Sequence, residues 1–175
     1  MTDFLPTDYE APKTGGAYMK LQKGENRFRI MSKPILGWLD WKDNQPHRFR
    51  MNEKPTAPFD PSRAVKHFWA FIVWNCNEQQ IQILEITQSG IQQAIAALSK
   101  DPDWGAPFGY DIKVTRSGEG LDTEYTVSPV PHKPRPDEAV EASNKRPIYL
   151  EALYDGADPF ADHGTITPIE NAIPF

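Results

Sequence analysis

One cysteine, Cys76, stands alone in 175 residues, so no disulfide can form within the chain, which suits a reducing cytosol. No apolar run reaches the length needed to cross a bilayer. The opening Met1-Thr2-Asp3-Phe4-Leu5 lacks the basic-then-apolar pattern of an export signal. The expectation is a soluble, cytoplasmic protein with no membrane partner. Zinc-site spacings are missing too. His47, His67 and Cys76 are scattered, and His132 and His163 fall in loop or tail sequence. There is no phosphate-cradling glycine loop, no Gly-x-Ser-x-Gly and no Cys/His signature. The acid pairs Asp101/Asp103 and Asp122/Glu124 fall near turns or on a solvated strand face. No metal, no cofactor and no enzymatic activity are expected.

Basic residues are absent from one long stretch. Residues 151–175 carry Glu151, Asp155, Asp158, Asp162 and Glu170 with no Lys or Arg, which equals the net charge of −5 of the whole chain. The stretch closes on the apolar Ile173-Pro174-Phe175. A charged lead ending in an apolar tripeptide makes a poor core element and a good docking peptide. The opposite charge collects elsewhere. From Lys20 to Lys66 there are eleven bases against five acids, a local excess of +6. That segregation reads as a polyanion-binding face with an acidic competitor tethered behind it.

Hydrophobic content of 39% supplies one modest core, and 17 prolines argue for short strands and long loops. Residues 1–17 read as a flexible amino-terminal arm. Asn26–Met31 alternates, with Phe28 and Ile30 inward and Arg27 and Arg29 outward as a basic face. Ile35–Trp41 is a second strand. Residues 43–63 are broken by prolines into a loop, with a short extended piece at His47–Met51. Val65–Asn75 is apolar on both faces: Phe68, Ala70, Ile72 and Trp74 on one, His67, Trp69, Phe71 and Val73 on the other. Gln79–Ile86 follows. Ser89 fits a capping box and starts a helix carrying Ile91, Ile95 and Leu98 on one side, which ends at Asp101-Pro102. Phe108–Arg116 and Asp122–Val127 form a last hairpin. A short helix is expected around Ile148–Leu153.

This order predicts a mainly β protein, with a five-stranded Greek-key barrel of the OB type as first candidate, because there one helix sits between strands. A β-sandwich and a ferredoxin-like layer stay open. The domain division is an arm (1–17), a barrel (18–135), a linker with a short helix (136–154) and a flexible acidic tail (155–175).

Four of five tryptophans, Trp38, Trp41, Trp69 and Trp74, lie on the two strands that flank the basic loop. Aromatic faces beside Lys and Arg are what single-stranded nucleic acid requires: bases stack on rings while cations follow the phosphates. Candidate phosphate contacts are Lys20, Lys23, Arg27, Arg29, Arg48, Arg50 and Lys66. Candidate stacking rings are Trp38, Trp41, Trp69, Phe71 and Trp74, with Trp69 and Phe71 foremost. An RNA-binding module would use the same rings. A protein-interaction module would leave them all in the core.

The acidic end closing on Ile173-Pro174-Phe175 resembles that of bacterial single-stranded DNA-binding proteins. The body is more similar to the OB-fold single-stranded DNA-binding proteins of tailed bacteriophages. That similarity runs through Tyr18-Met19-Lys20-Leu21, Asn26–Ile30, Phe68-Trp69-Ala70-Phe71, Val73-Trp74-Asn75, Ile83–Ile86, Asp103-Trp104-Gly105, Tyr110-Asp111-Ile112 and Leu121–Tyr125. It spans roughly residues 18–130 and the tip. The resemblance implies single-stranded DNA as partner, in phage replication, recombination and repair within an infected bacterial cell. It also implies that the tip recruits replication or recombination proteins, with Phe175 in an apolar pocket. The chain departs from the bacterial tips in one respect: Asn171-Ala172 stand where those carry acids.

Overall fold

The structure, a computed structural model, describes Phe4 and residues 16–161. Seven strands form one sheet: β1 (Gly24–Ile30), β2 (Ile35–Lys42), β3 (Gln45–Arg50), β4 (Lys66–Asn75), β5 (Gln80–Ile86), β6 (Asp111–Ser117) and β7 (Glu124–Pro129). Two α-helices accompany them, α1 (Ser89–Lys100) and α2 (Asp137–Lys145). Every strand pair is antiparallel.

The ten-residue β4 is the spine. β5 runs along one edge of it. β2 and β1 share the other, with Ile35 opposite Ala70 and Ile30 opposite Val73. β1 and β2 are thus two halves of one path, interrupted at residues 31–34, where Pro34 lacks the N–H a ladder needs. Ser32 bridges the break: its hydroxyl accepts the Ile72 N–H at 2.9 Å. β6 and β7 extend the sheet from the free edge of β1.

The extended piece expected near His47 is a full strand. Asp43 and Asn44 take φ of 53° and 61°, so β2 turns into β3 through a two-residue hairpin that such residues favour. Gly37 lets this hairpin lie close, since a Cβ there would strike the Phe49 carbonyl. In α1 the residue before the first turn is Gln88, with no side-chain cap, so the expected capping box at Ser89 does not form. α2 was not expected. Its start nonetheless carries a helix signal, Pro136 followed by Asp137 and Glu138, with Lys145 in the last turn.

The sheet differs from the expected five-stranded barrel. It has seven strands, and among the described residues no pairing joins β7 or β3 to β5 to close it. The outer edge of β5 is taken instead by the segment before β1: Met19 N–H donates to Ile83 O and Ile83 N–H to Ala17 O.

Apolar residues pack on both faces of β4, as its two-sided sequence requires. On the first face Phe28, Ile30, Phe71, Val73 and Ile112 lie under Ile91 and Ile95 of α1. On the second face Phe68, Ala70, Ile72 and Trp74 lie under Ala139 of α2 and under Ile148, Leu150 and Leu153. The last three belong to a segment running through a 3₁₀ helix at Leu150–Asp155. Pro159 is buried as well. The first residues of the acidic stretch are therefore part of the folded body.

Candidate functional site

The two faces differ in how far they are covered. α1 and residues 104–108 close the first face over β1, β6 and the second half of β4. No residue of β2 or β3 belongs to that core, and from the first half of β4 only Trp69 packs against it, while Gln92 of α1 donates to the His67 carbonyl at 3.2 Å. There Leu36 stands opposite Trp69 and Trp38 opposite His67 on one side of the sheet. Leu36 is 38% exposed, and Trp38, His67 and Trp69 are half-buried.

These side chains hold one another. His67 Nδ1 lies 2.8 Å from the Gly37 carbonyl, which only accepts, so the proton sits on Nδ1. That leaves a lone pair on Nε2, which receives the Trp69 indole N–H at 3.2 Å. The Trp38 ring lies 5.2 Å from the His67 ring, and its indole N–H donates to Met51 O at 3.1 Å. Both indole N–H groups are thus satisfied, and both rings are fixed with part of their surface in water. Lys54 places its ammonium 4.3 Å from the Trp38 centroid.

The row continues across β3. The Phe59 ring packs against Phe49 and His47, with centroids at 6.5 Å and 5.6 Å, and Lys42 sits over it at 5.3 Å. Phe59 is 51% exposed. Buried Asp40 anchors its loop, one oxygen accepting the Phe59 N–H and the other the Trp41 N–H. Sequence reading missed His67, Lys54, Lys42 and Phe59. Phe59 sits in a proline-broken loop without periodicity. The adjacency of Lys42 to Trp41 was the one available signal.

The remaining expected residues are spread over other surroundings. Phe71 is 1% exposed in the first core, and Trp74 is 5% exposed in the second. The outward aromatic face expected for Phe71 is instead covered by α1. Trp41 leans on the second core, with Arg63 over its ring at 4.6 Å. Arg48 and Arg50 lie on the face opposite Trp38. Arg48 pairs with Glu85 at 2.6 Å, and Arg50 covers the Tyr154 ring at 4.6 Å. Lys66 is exposed at the start of β4, on the face away from its neighbour His67. Lys20 is exposed before β1, and Lys23 pairs with Glu119 at 3.1 Å. Ile173, Pro174 and Phe175 lie outside the described residues.

The basic outer face expected of β1 is also changed. Arg29 is fully buried, its Nε donating to Asp111 Oδ1 at 2.7 Å and an Nη to Lys133 O at 3.1 Å. Arg27 donates to the other Asp111 oxygen at 2.8 Å, and Lys133 stands 3.6 Å from it. Three cations gather on one buried carboxylate, the arrangement a buried charge needs. Cys76 adjoins this cluster, and burial foremost, then Asp111, pushes its thiol up to about 11. Among the described residues no group of three or more His, Cys, Asp or Glu is arranged to hold a metal ion, and no helix is long and apolar enough to cross a membrane.

A scan against protein-family models finds no match. No solved structure matches the chain. Among curated proteins the chain is similar to the "Probable ssDNA-binding protein" of Escherichia phage T5, at 22% identity over 158 aligned positions. The alignment covers 67% of this chain and 58% of the phage protein's length.

Proposed function

We propose that the protein binds single-stranded DNA without sequence preference and without chemistry of its own. One observation carries the reading: Trp38, His67 and Trp69 form a fixed, half-open aromatic row beside Lys54 on the uncovered part of the sheet. A base of any kind can stack on such rings, each stack worth about 1–3 kcal/mol. Phe59 with Lys42 extends the row toward the hairpin end. The name of the phage T5 relative points the same way.

The order of β1/β2, β4, β5, α1, β6 and β7 is that of an OB fold, which supports reading the sheet as an open variant of it. In that frame the β3 hairpin and residues 51–65 form the connection after the first strand, one of the loops with which such folds hold oligonucleotides. The finer reading follows from the resemblance. The protein covers single strands during phage replication, recombination and repair in the host cell, and Ile173-Pro174-Phe175 recruit partner proteins.

The test is a titration with oligo-dT followed by tryptophan fluorescence at two salt concentrations. Quenching is expected, and affinity falls with a log–log slope of roughly −0.7 per phosphate neutralised. Absence of quenching sinks the reading. Tighter binding of a matched RNA oligomer assigns the face to RNA. Loss of the oligomer on adding Mg²⁺ assigns a nuclease.

A further inference from the structure

Where α1 ends against the sheet, an apolar cleft of about 350 Å³ opens beside the aromatic row. Its walls include Leu36 and Trp69 from the sheet, Ile95 and Ala96 from α1, and Pro107 and Phe108 from the loop before β6. The volume lies at the lower end of the range small-molecule sites occupy. The cleft is no separate feature of the molecule. Trp69 forms its wall on one side and is held by His67 on the other, so anything lying along Trp38 and His67 reaches its mouth. No Lys, Arg, Asp or Glu lines it, while the residues next in chain to two lining positions are exposed lysines: Lys33 beside Pro34, and Lys100 beside Ser99.

An uncharged, apolar hollow at the border of an aromatic row, with an exposed lysine next in chain to two of its lining residues, matches one unit of a single strand, with its flat neutral base inside and its phosphates outside. We infer that this cleft takes a single nucleobase turned out of the bound strand, with Trp69 and Phe108 as its walls and Lys33 and Lys100 nearest its flanking phosphates. The inference rests on the single-strand reading above and deepens it: one position in the bound strand is held differently from the rest.

The experiment scans one abasic site along the shortest oligo-dT that binds at full affinity. It uses the full chain and two variants that fill the cleft, Ala96→Phe and Ser99→Phe. Ser99 is exposed, so its variant stands if the other fails to fold. With the wild type, one abasic position is expected to weaken binding by roughly 5- to 150-fold, the range of one stacked base, and more than any other position. The filled variants should bind intact oligo-dT more weakly by a similar factor and lose the sensitivity at that position alone. Equal sensitivity at every position, or filled variants that bind like wild type, overturns the inference and leaves the single-strand reading intact. Failure of the wild type to bind any oligomer overturns both. Self-association of the free protein that Ser99→Phe abolishes gives the cleft to a second copy and overturns it as well.

Discussion

The two faces of the sheet are made of similar residues and are finished differently. Each carries a large apolar set along β4, and each has aromatic rings at the β2–β3 end. On the second face, α2 and residues 148–160 close over the sheet. Tyr154 seals that end by donating its hydroxyl to Leu36 O at 2.6 Å and receiving Arg50 on its ring. On the first face α1 covers only part of the sheet, and Trp38, His67 and Trp69 remain at its border. The difference teaches that aromatic content does not mark a binding face here. What marks it is where the covering elements stop, which leaves Trp38, His67 and Trp69 half-open on one face only.

The largest expected effect separates stability from binding. Phe71→Ala and Trp74→Ala each remove a buried ring and should lower unfolding stability by about 3–5 kcal/mol. Denaturant melts measure this, and the folded fraction of Trp74→Ala should bind oligo-dT with wild-type affinity. Arg29→Ala belongs with them, since it breaks a fully buried ion pair at a cost of about 3–5 kcal/mol. Trp38→Ala and Trp69→Ala should do the reverse, weakening binding by about 1–3 kcal/mol each while the melt moves less. If Trp74→Ala weakened binding as much as Trp38→Ala, the division between the faces would fail.

The cations give a finer contrast. Lys54→Ala should flatten the log–log salt dependence of binding by roughly 0.7 if Lys54 meets one phosphate. Arg50→Ala, on the closed face, should leave that slope unchanged. Within the row, His67→Gln keeps an oxygen to accept the Trp69 indole, whereas His67→Asn keeps only the bond to Gly37. The Asn variant is expected to bind more weakly than the Gln variant by about 1 kcal/mol, the net worth of one hydrogen bond.

Much of the fold was legible in the chain because its signals are local. The alternation of β1, the two-sided run of β4, the α1 period and the last hairpin each state their own element. The partition between core and surface was not local. Alternation assigns Phe71 and Trp69 to one face, but only the reach of α1 decides that one is buried and the other half-open. Arg29 reads as an outward base until Asp111, 82 positions later, takes it up. The flexible acidic tail is expected from residue 155, yet Pro159 is buried and Phe160 packs against the second core. Charge counting sees the acids of that segment and not the apolar residues between them.

That boundary has its own test. Truncation after Ala161 should leave oligo-dT binding as tight as in the full chain or tighter, since it removes Asp162 and Glu170. Truncation after Tyr154 should also lower stability, because it strips Pro159 and Phe160 from the second face. The smallest expected effect concerns Cys76. Its folded thiol keeps its proton up to about 11, against an ordinary value of 9.0. The stability linked to that proton is present below pH 9 and is lost as pH rises through about 11. Alkylation of the folded protein should be slow at pH 8 and rise about tenfold per pH unit toward that value. A fast reaction at pH 8 would show the closed face to be open around Cys76.

The most direct measurement of the central claim compares Trp38→Ala, Trp69→Ala and Trp74→Ala with wild type in one oligo-dT titration at fixed salt. Wild type and Trp74→Ala are expected to bind alike and the other two to bind more weakly, by about 1–3 kcal/mol each. Equal affinity for all four proteins would contradict it.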